Sequence, residues 1–295
     1  METANLPQST DVLTRVEPAL EAEFQEESPT GATPERQGRG LPTFVRRLIV
    51  VAVILVLWQM YVTTMHVSPL LFTAPSAVWN ALVLGLISGE IAAATGETLK
   101  LLLLGMAIGS CAALILSALA VSNRIGEDVL ATLSSMLNPL PSIAILPLAM
   151  LWFGLTDRAL IFVIAQAVVW PLAINVSMGF RTVPPTIKMV AATLGLRGIR
   201  MVTDILLPAA LPHIISGLKT SWAFGWRTII AAELVFGVAG GAGGLGWFIN
   251  LSRYFLRIPD VFAGLVVIAI IGMAIEALFS LLQWRTVDRW GMRSA

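Results

Sequence analysis

Residues 181–213 read RTVPPTIKMVAATLGLRGIRMVTDILLPAALPH, and the organisation of the chain turns on this stretch. It separates two long apolar runs, 159–180 and 214–239, and carries prolines at Pro184, Pro185, Pro208 and Pro212. A proline pair at the end of an apolar helix removes backbone donors and stops it. Residues 186–194 then return to helical composition through Met189, Val190, Ala191 and Ala192, up to Gly195, a residue suited to a helix C-terminus. The segment is too apolar for a free linker. Its pattern predicts a short helix projecting from the ends of two spans, and an amphipathic helix lying on a bilayer surface is the alternative.

The rest of the chain suits lipid. Of the 295 residues, 57% are hydrophobic and 13% charged, against about a quarter charged in soluble domains. Runs of about 20 apolar residues are long enough to cross a hydrocarbon core, and six occur, at 46–65, 97–121, 129–153, 159–180, 214–239 and 261–284. Within lipid each segment must satisfy its own backbone amides, so solid apolar runs read as helices rather than barrel strands. The expected fold class is all-α and polytopic, with six transmembrane helices. Pro139, Pro141 and Pro147 interrupt the third run and predict a kinked or partly re-entrant span.

Charge sets the expected orientation. Arg46-Arg47 precede the first run, and Arg124, Arg181, Lys188, Arg197, Arg200, Arg285, Arg289 and Arg293 fall in alternate loops and the C-terminal tail. Only Arg158, Arg253 and Arg257 fall clearly in the other loops, with Lys100 near the outer end of the second span. The positive-inside rule then places both termini in the cytoplasm of a cell whose inner, or plasma, membrane holds the protein. Residues 1–42 form an acidic cytoplasmic tail, with eight acidic residues between Glu2 and Glu35, and their composition predicts disorder. The first transmembrane helix falls within 43–70, and the transmembrane domain within 91–290 with the 181–213 loop inside it. The lone Cys111 lies in an apolar run and reads as a packing residue.

Enzyme chemistry has little to stand on. His66 and His213 belong to no metal or nucleophile–base pattern and read as interfacial polar residues. A phosphate loop of the form G-x-x-x-x-G-K-[ST] is missing from the sequence, so nucleotide binding would fall to another subunit. The cluster Gly237, Gly240, Gly241, Gly243, Gly244 and Gly246 has no following lysine and reads as flexible backbone in an outward loop. Arg227, Glu233 and Glu276 lie within predicted spans, where a central charge costs about 2.5–3.5 kcal/mol on the lenient scale, so they should face protein or water. Arg227 and Glu233 are six positions apart, about 240° around a helix, and must meet partners on different sides. Glu276 is one candidate partner for Arg227. Arg227 either lines a substrate pathway, offering a positive site to an anion, or makes a structural interhelical bond within or between two copies; Glu233 either helps set a gate or makes such a bond. Trp222, Trp226, Trp247 and Trp284 read as interfacial or packing aromatics.

From Met189 to Pro208 the chain resembles the signature loop of ABC importer permeases, E-A-A-x-x-x-G followed nine residues later by I-x-L-P. Ala191, Gly195, Ile205, Leu207 and Pro208 fall in register, while Met189 and Val190 stand where the family has glutamate and alanine. Any ion pair or cap supplied by that glutamate is therefore missing. Ala74-Pro75-Ser76, Pro139-Leu140-Pro141, Trp152-Phe153-Gly154, the Pro208–Pro212 stretch, Ala231-Ala232-Glu233-Leu234 and Gly244-Leu245-Gly246 are similar to the nitrate, taurine, alkanesulfonate and bicarbonate group. The resemblance covers roughly residues 70–290. It implies the MetI-like, type I fold of ABC importer permeases and no enzymatic activity of the chain's own. It also implies an ATPase-coupling loop containing Lys188, Met189, Val190, Ala191, Ala192, Gly195, Leu207 and Pro208. The implied partners are two copies of an ABC ATPase that bind ATP and Mg, a second permease copy and an extracytoplasmic solute-binding protein, with no nucleic acid. The implied cargo is a small anion such as nitrate, a sulfonate, taurine or bicarbonate. An ion-gradient-driven secondary transporter or a channel without a pump partner are the rival readings from the residues; no convincing internal repeat supports the first.

Overall fold

The computed structural model describes residues 42–236 and 243–288. Every regular element among them is helical. Helix α1 (Thr43–Thr64) carries Arg46-Arg47 in its first turns and is apolar from Leu48 to Trp58. The chain divides within it, after Ile54, and the large unit begins at Leu55. Up to Ile54 the α1 side chains of Leu48, Val50, Val51 and Ile54 are exposed, as a lipid-facing surface requires. In the large unit Trp58 and Phe72 pack on Phe262, with ring centroids 5.7 and 5.6 Å from it.

A 13-residue helix, α2 (Pro75–Ile87), follows and buries Val78, Ala81 and Leu82. It is apolar but too short to cross a bilayer, so a scan for runs of about 20 residues passes over it. Gly89 then turns the chain into α3 (Glu90–Ser122), whose 33 residues extend about 50 Å, longer than the hydrocarbon core.

Between the second and third apolar runs, where a loop carrying Arg124 is expected, a single residue joins the helices. Asn123 is extended, its side-chain Oδ1 accepts the Gly126 N–H at 2.6 Å, and α4 (Arg124–Leu137) starts at once. Asparagine at an N-cap can reverse a chain without a loop because it supplies the acceptor itself. A 3-10 turn over Ser142–Ile145 joins α4 to α5 (Leu146–Phe153), and the pair is bent by 89°. The proline-interrupted third span is thus broken, as its sequence predicts.

Helix α6 (Asp157–Thr182) is the axis of the large unit, burying Val163, Val168, Leu172, Val176 and Phe180 among others. Its contacts are close because small residues face it. A Cβ on Gly105 would stand 2.6 Å from Ile164, and one on Gly109 would stand 2.8 Å from the Ala165 carbonyl oxygen. Such glycine contacts let helices approach where lipid supplies no hydrophobic drive between them. Hydroxyls add interhelical bonds on either side of Pro171: Ser221 donates to the Val168 carbonyl and Ser117 to the Ala173 carbonyl, both at 3.1 Å.

After Pro184 comes α7 (Pro185–Thr193), then a segment over Ile199–Ala209 that contains a π turn at Val202–Leu206. That segment meets α8 (Leu211–Phe236) at 77°. The glycine-rich outward loop needs correction. Residues 237–242, with Gly237, Gly240 and Gly241, lie outside the described residues, but Gly244 starts a mostly buried helix, α9 (Leu245–Tyr254), so Gly244 and Gly246 are not flexible loop. The glycines here serve close packing rather than looseness, as the site below makes plain. Helix α10 (Ile258–Gln283) ends the described fold apart from a short π turn. Among the described residues four helices are long and apolar enough to span a membrane, and six spans result when each bent pair is counted as one.

The α3–α6 seam makes a prediction. Gly109→Leu must open the contact with Ala165 and Val168, which should cost about 1–3 kcal/mol or more. In detergent its thermal midpoint should fall well below that of the wild type. Gly96→Ala, on the same helix with nothing within 4 Å of its Cβ, should match or exceed the wild type; equal midpoints for Gly109→Leu and the wild type would reject the close seam.

Candidate functional site

The α4–α5 break does more than redirect the chain. Its corner residues Asn138 and Ser142 line a cavity of about 320 Å3 together with Gln166 and Trp170 of α6 and Arg227 and Thr228 of α8. Helix-breaking backbone at membrane depth is tolerated where it lines such a cavity. Trp170 Nε1 and Gln166 Oε1 are buried without a hydrogen-bond partner, while Gln166 Nε2 donates weakly to the Leu137 carbonyl at 3.4 Å. Arg227 is exposed and has no ion pair among the described residues. The cavity is therefore lined by a guanidinium, the Asn138 amide and the Ser142 and Thr228 hydroxyls, with no carboxylate, and the buried Trp170 indole stands in its wall. Those donors suit a compact anion with several acceptor oxygens.

Glu233 stands on another face of α8, as the six-residue spacing from Arg227 requires. It is 1% exposed. The Thr98 hydroxyl on α3 lies 3.0 Å from each of its carboxyl oxygens, and the Gly246 N–H of α9 donates to Oε2 at 2.9 Å. The Leu245 N–H donates to Thr98 Oγ1 at 2.8 Å. Thr98 and Glu233 together thus satisfy the first amides of α9, which no intrahelical carbonyl can reach. A carboxyl group there also meets the positive end of the helix dipole. Glycine is required at the approach: a Cβ on Gly244 would lie 2.1 Å from Glu233 Oε1, and one on Gly246 would lie 2.6 Å from the Glu233 Cβ. Of the two readings of Glu233, this geometry is that of an interhelical bond, with both oxygens occupied.

The candidate pair of Arg227 with Glu276 does not form. Glu276 on α10 is exposed and sits 3.9 Å from Lys219 Nζ, while Lys219 also donates to Ser280 at 3.2 Å. Lys219 is eight residues, about two turns, before Arg227 along α8, so the α10 carboxylate reaches the nearer cation. Trp222 and Trp226 stack 5.9 Å apart in the core, whereas Trp284 is exposed. His66 is exposed, and His213 packs where Gly179 leaves room.

The 181–213 segment separates into inward and outward residues. Pro185 opens α7, and at its end Gly195 has φ +81° while the Leu196 N–H reaches the Ala191 carbonyl at 3.0 Å, a glycine-dependent helix stop. Ala191 is buried, Leu207 is half-buried, and Lys188 donates to the Phe180 carbonyl at 3.0 Å, tying α7 to the end of α6. Met189, Val190 and Leu194 are instead 61, 60 and 74% exposed, and Ala192 and Pro208 are exposed beside them. An apolar groove of about 260 Å3, lined by Ile187, Val190, Leu194, Leu196 and Ile205, runs along the helix. Among the described residues no group of His, Cys, Asp or Glu could hold a metal ion.

Broken apolar spans around a donor-lined cavity, with an apolar helix standing off one end, define a membrane permease. The chain belongs to the family of binding-protein-dependent transport system inner membrane components, whose model matches residues 105–289. It is accordingly a permease component of the ABC importer class. It is 29% identical over 259 residues to SsuC of Bacillus subtilis, named for aliphatic sulfonates transport, covering 88% of this chain and 92% of the relative. To the taurine transport system permease protein TauC of Escherichia coli it is 30% identical over 240 residues, covering 79% of this chain and 86% of the relative. Permeases named for nitrate and bicarbonate are also relatives. One chain of a crystal structure of an amino acid ABC transporter with histidines shares the fold, with a TM-score of 0.54 at 19% identity, covering 70% of this chain and 97% of that one.

The α9 cap predicts a measurable loss. Glu233→Leu leaves the Gly246 N–H and the Thr98 hydroxyl without their acceptor, at about 1–3 kcal/mol for each buried donor. Hydrogen–deuterium exchange over 243–250 should accelerate and the thermal midpoint should drop. Exchange as slow as in the wild type would remove Glu233 as the cap.

Proposed function

We propose that the chain is the membrane-spanning subunit of an importer for a small anion, of the sulfonate, taurine, nitrate or bicarbonate kind, working as a pair of copies in the inner membrane with both termini in the cytoplasm. A separate ATPase in two copies binds the ATP and Mg and grips α7, and an extracytoplasmic binding protein delivers the anion. ATP binding draws the two α7 helices together, and alternating access follows as the spans rearrange around a central pathway that includes Arg227. Glu233 and Glu276 act from the flanks, the first by holding α9 and the second by its contact with Lys219.

The observation that carries this reading is the exposed apolar face of α7. Ile187, Met189, Val190 and Leu194 stand outside the bundle on a rigid, proline-started helix bonded to α6 through Lys188. A protein partner with a complementary cleft removes that surface from water. Met189 in the place of the signature glutamate makes the contact more apolar than in relatives that keep the acid. The anionic cargo is supported by the unpaired Arg227 guanidinium in a cavity without carboxylates and by the names of the relatives.

Two experiments bear on the proposal separately. Val190→Asp puts a charge into the α7 contact and should reduce ATP hydrolysis by the assembled complex at least tenfold, with the permease still present in the membrane; hydrolysis at the wild-type rate would eliminate α7 as the contact. Arg227→Ala should lower anion uptake at least tenfold while the complex still assembles, and Arg227→Lys should recover part of it. Normal uptake by assembled Arg227→Ala would reject the pathway role.

A further inference from the structure

A second polar cavity lies at the end of the bundle that carries α7. It encloses about 360 Å3 and is lined by Arg124, Glu127, Ser177, Arg181 and Lys188, with Asn123 at its edge. These residues come from four places in the chain: the α3–α4 link, the first turn of α4, the last turns of α6, and α7. Glu127 is engaged by Arg181 at 2.7 Å, and Lys188 is committed in part to the Phe180 carbonyl. Arg124 has no hydrogen-bond or ion-pair partner among the described residues. Three cations against one carboxylate leave an excess of positive charge. The C-terminal ends of α3 and α6 oppose it with about half a charge each, and the N-terminus of α4 restores about half a charge, so the balance stays positive.

Ser177 turns this charge into a site. It is more than nine-tenths buried, lines the cavity, and its Oγ has no partner. In a helix a serine hydroxyl ordinarily turns back to the carbonyl four residues earlier. Here that carbonyl, Ala173, already accepts the Ser117 hydroxyl at 3.1 Å from across the helix pair. Ser177 is left in the cavity wall with an undonated proton on a closed-off Oγ, and an unmet buried hydroxyl is costly unless a turn of the side chain brings it to a group that fills the place.

We propose that this cavity is a binding site for a phosphate group, held by the Arg124 and Arg181 guanidinium groups and the Ser177 hydroxyl. A phosphate supplies enough acceptor oxygens for a planar guanidinium fork and a hydroxyl at once. The group comes either from an anionic lipid headgroup, since basic pockets between helices at a membrane edge take such headgroups, or from free phosphate in solution. Because Lys188 belongs to both the cavity wall and the base of α7, occupancy stiffens the foot of that helix. The site itself does not rest on the transport reading; its relevance to coupling does.

The test uses the full-length purified chain. Binding of radiolabelled inorganic phosphate by equilibrium dialysis, at constant ionic strength, reads the free-anion source. Phosphatidylglycerol retained per chain after exchange from mixed phosphatidylglycerol–phosphatidylcholine vesicles reads the lipid source. Either signal, reduced at least tenfold in affinity by Arg124→Gln and weakened by the near-isosteric Ser177→Ala, supports the site and identifies its source. Lys219→Gln, on α8 away from the cavity, should leave the signal unchanged. Absence of both signals in the wild type, or signals that Arg124→Gln and Ser177→Ala do not diminish, overturns the proposal.

Discussion

Backbone amides in hydrocarbon have no water to turn to, so a chain in lipid may break its helices only where the protein supplies the missing partners. That constraint explains where this molecule keeps its polar chemistry. The α4–α5 break is sheltered by α6 and α8 and lines the cavity that contains Arg227. The start of α9 is sheltered by Thr98 and Glu233, which meet its first amides. The break at Pro184 has a different outcome: the chain leaves the bundle, and α7 carries an apolar face with it.

Two of the ionisable groups of α8, Arg227 and Glu233, illustrate a division of labour set by geometry. Arg227 and Glu233 share a helix but face different neighbours, one a cavity and the other a helix terminus. Glu233 completes a bonded network and gains nothing from mobility. Arg227 has desolvation to avoid and no carboxylate to offset it, so it favours a wet cavity or an anionic visitor. A transport pathway benefits from that asymmetry, because a site that is too well satisfied by the protein cannot exchange its ligand.

Much of this was legible in the sequence because lipid imposes a length and a composition on each span. The six apolar runs, the broken third span and the α7 helix with its Gly195 stop all follow from local patterns of proline, glycine and apolar residues. Helices α2 and α9 were not, for opposite reasons. Helix α2 is apolar but shorter than a bilayer crossing, and α9 follows glycines that look like loop punctuation but serve close approach to Glu233. Partners across the fold were beyond reach as well. Thr98 lies 135 residues from Glu233, and Glu276 prefers Lys219, one of two cations on the same helix. Gln166 and Trp170 could have been suspected of sharing the Arg227 cavity only from their polarity within an apolar run.

The claim on which the functional account rests is that α7 stands in the cytoplasm, held by an ATPase. A single cysteine in place of Met189, in a chain whose exposed Cys111 has been changed to serine, can be probed with a membrane-impermeant maleimide in vesicles of either orientation. The account predicts labelling in inside-out vesicles alone, and protection when the ATPase is bound. Labelling from the exterior face, or from neither face because α7 lies in lipid, would contradict it.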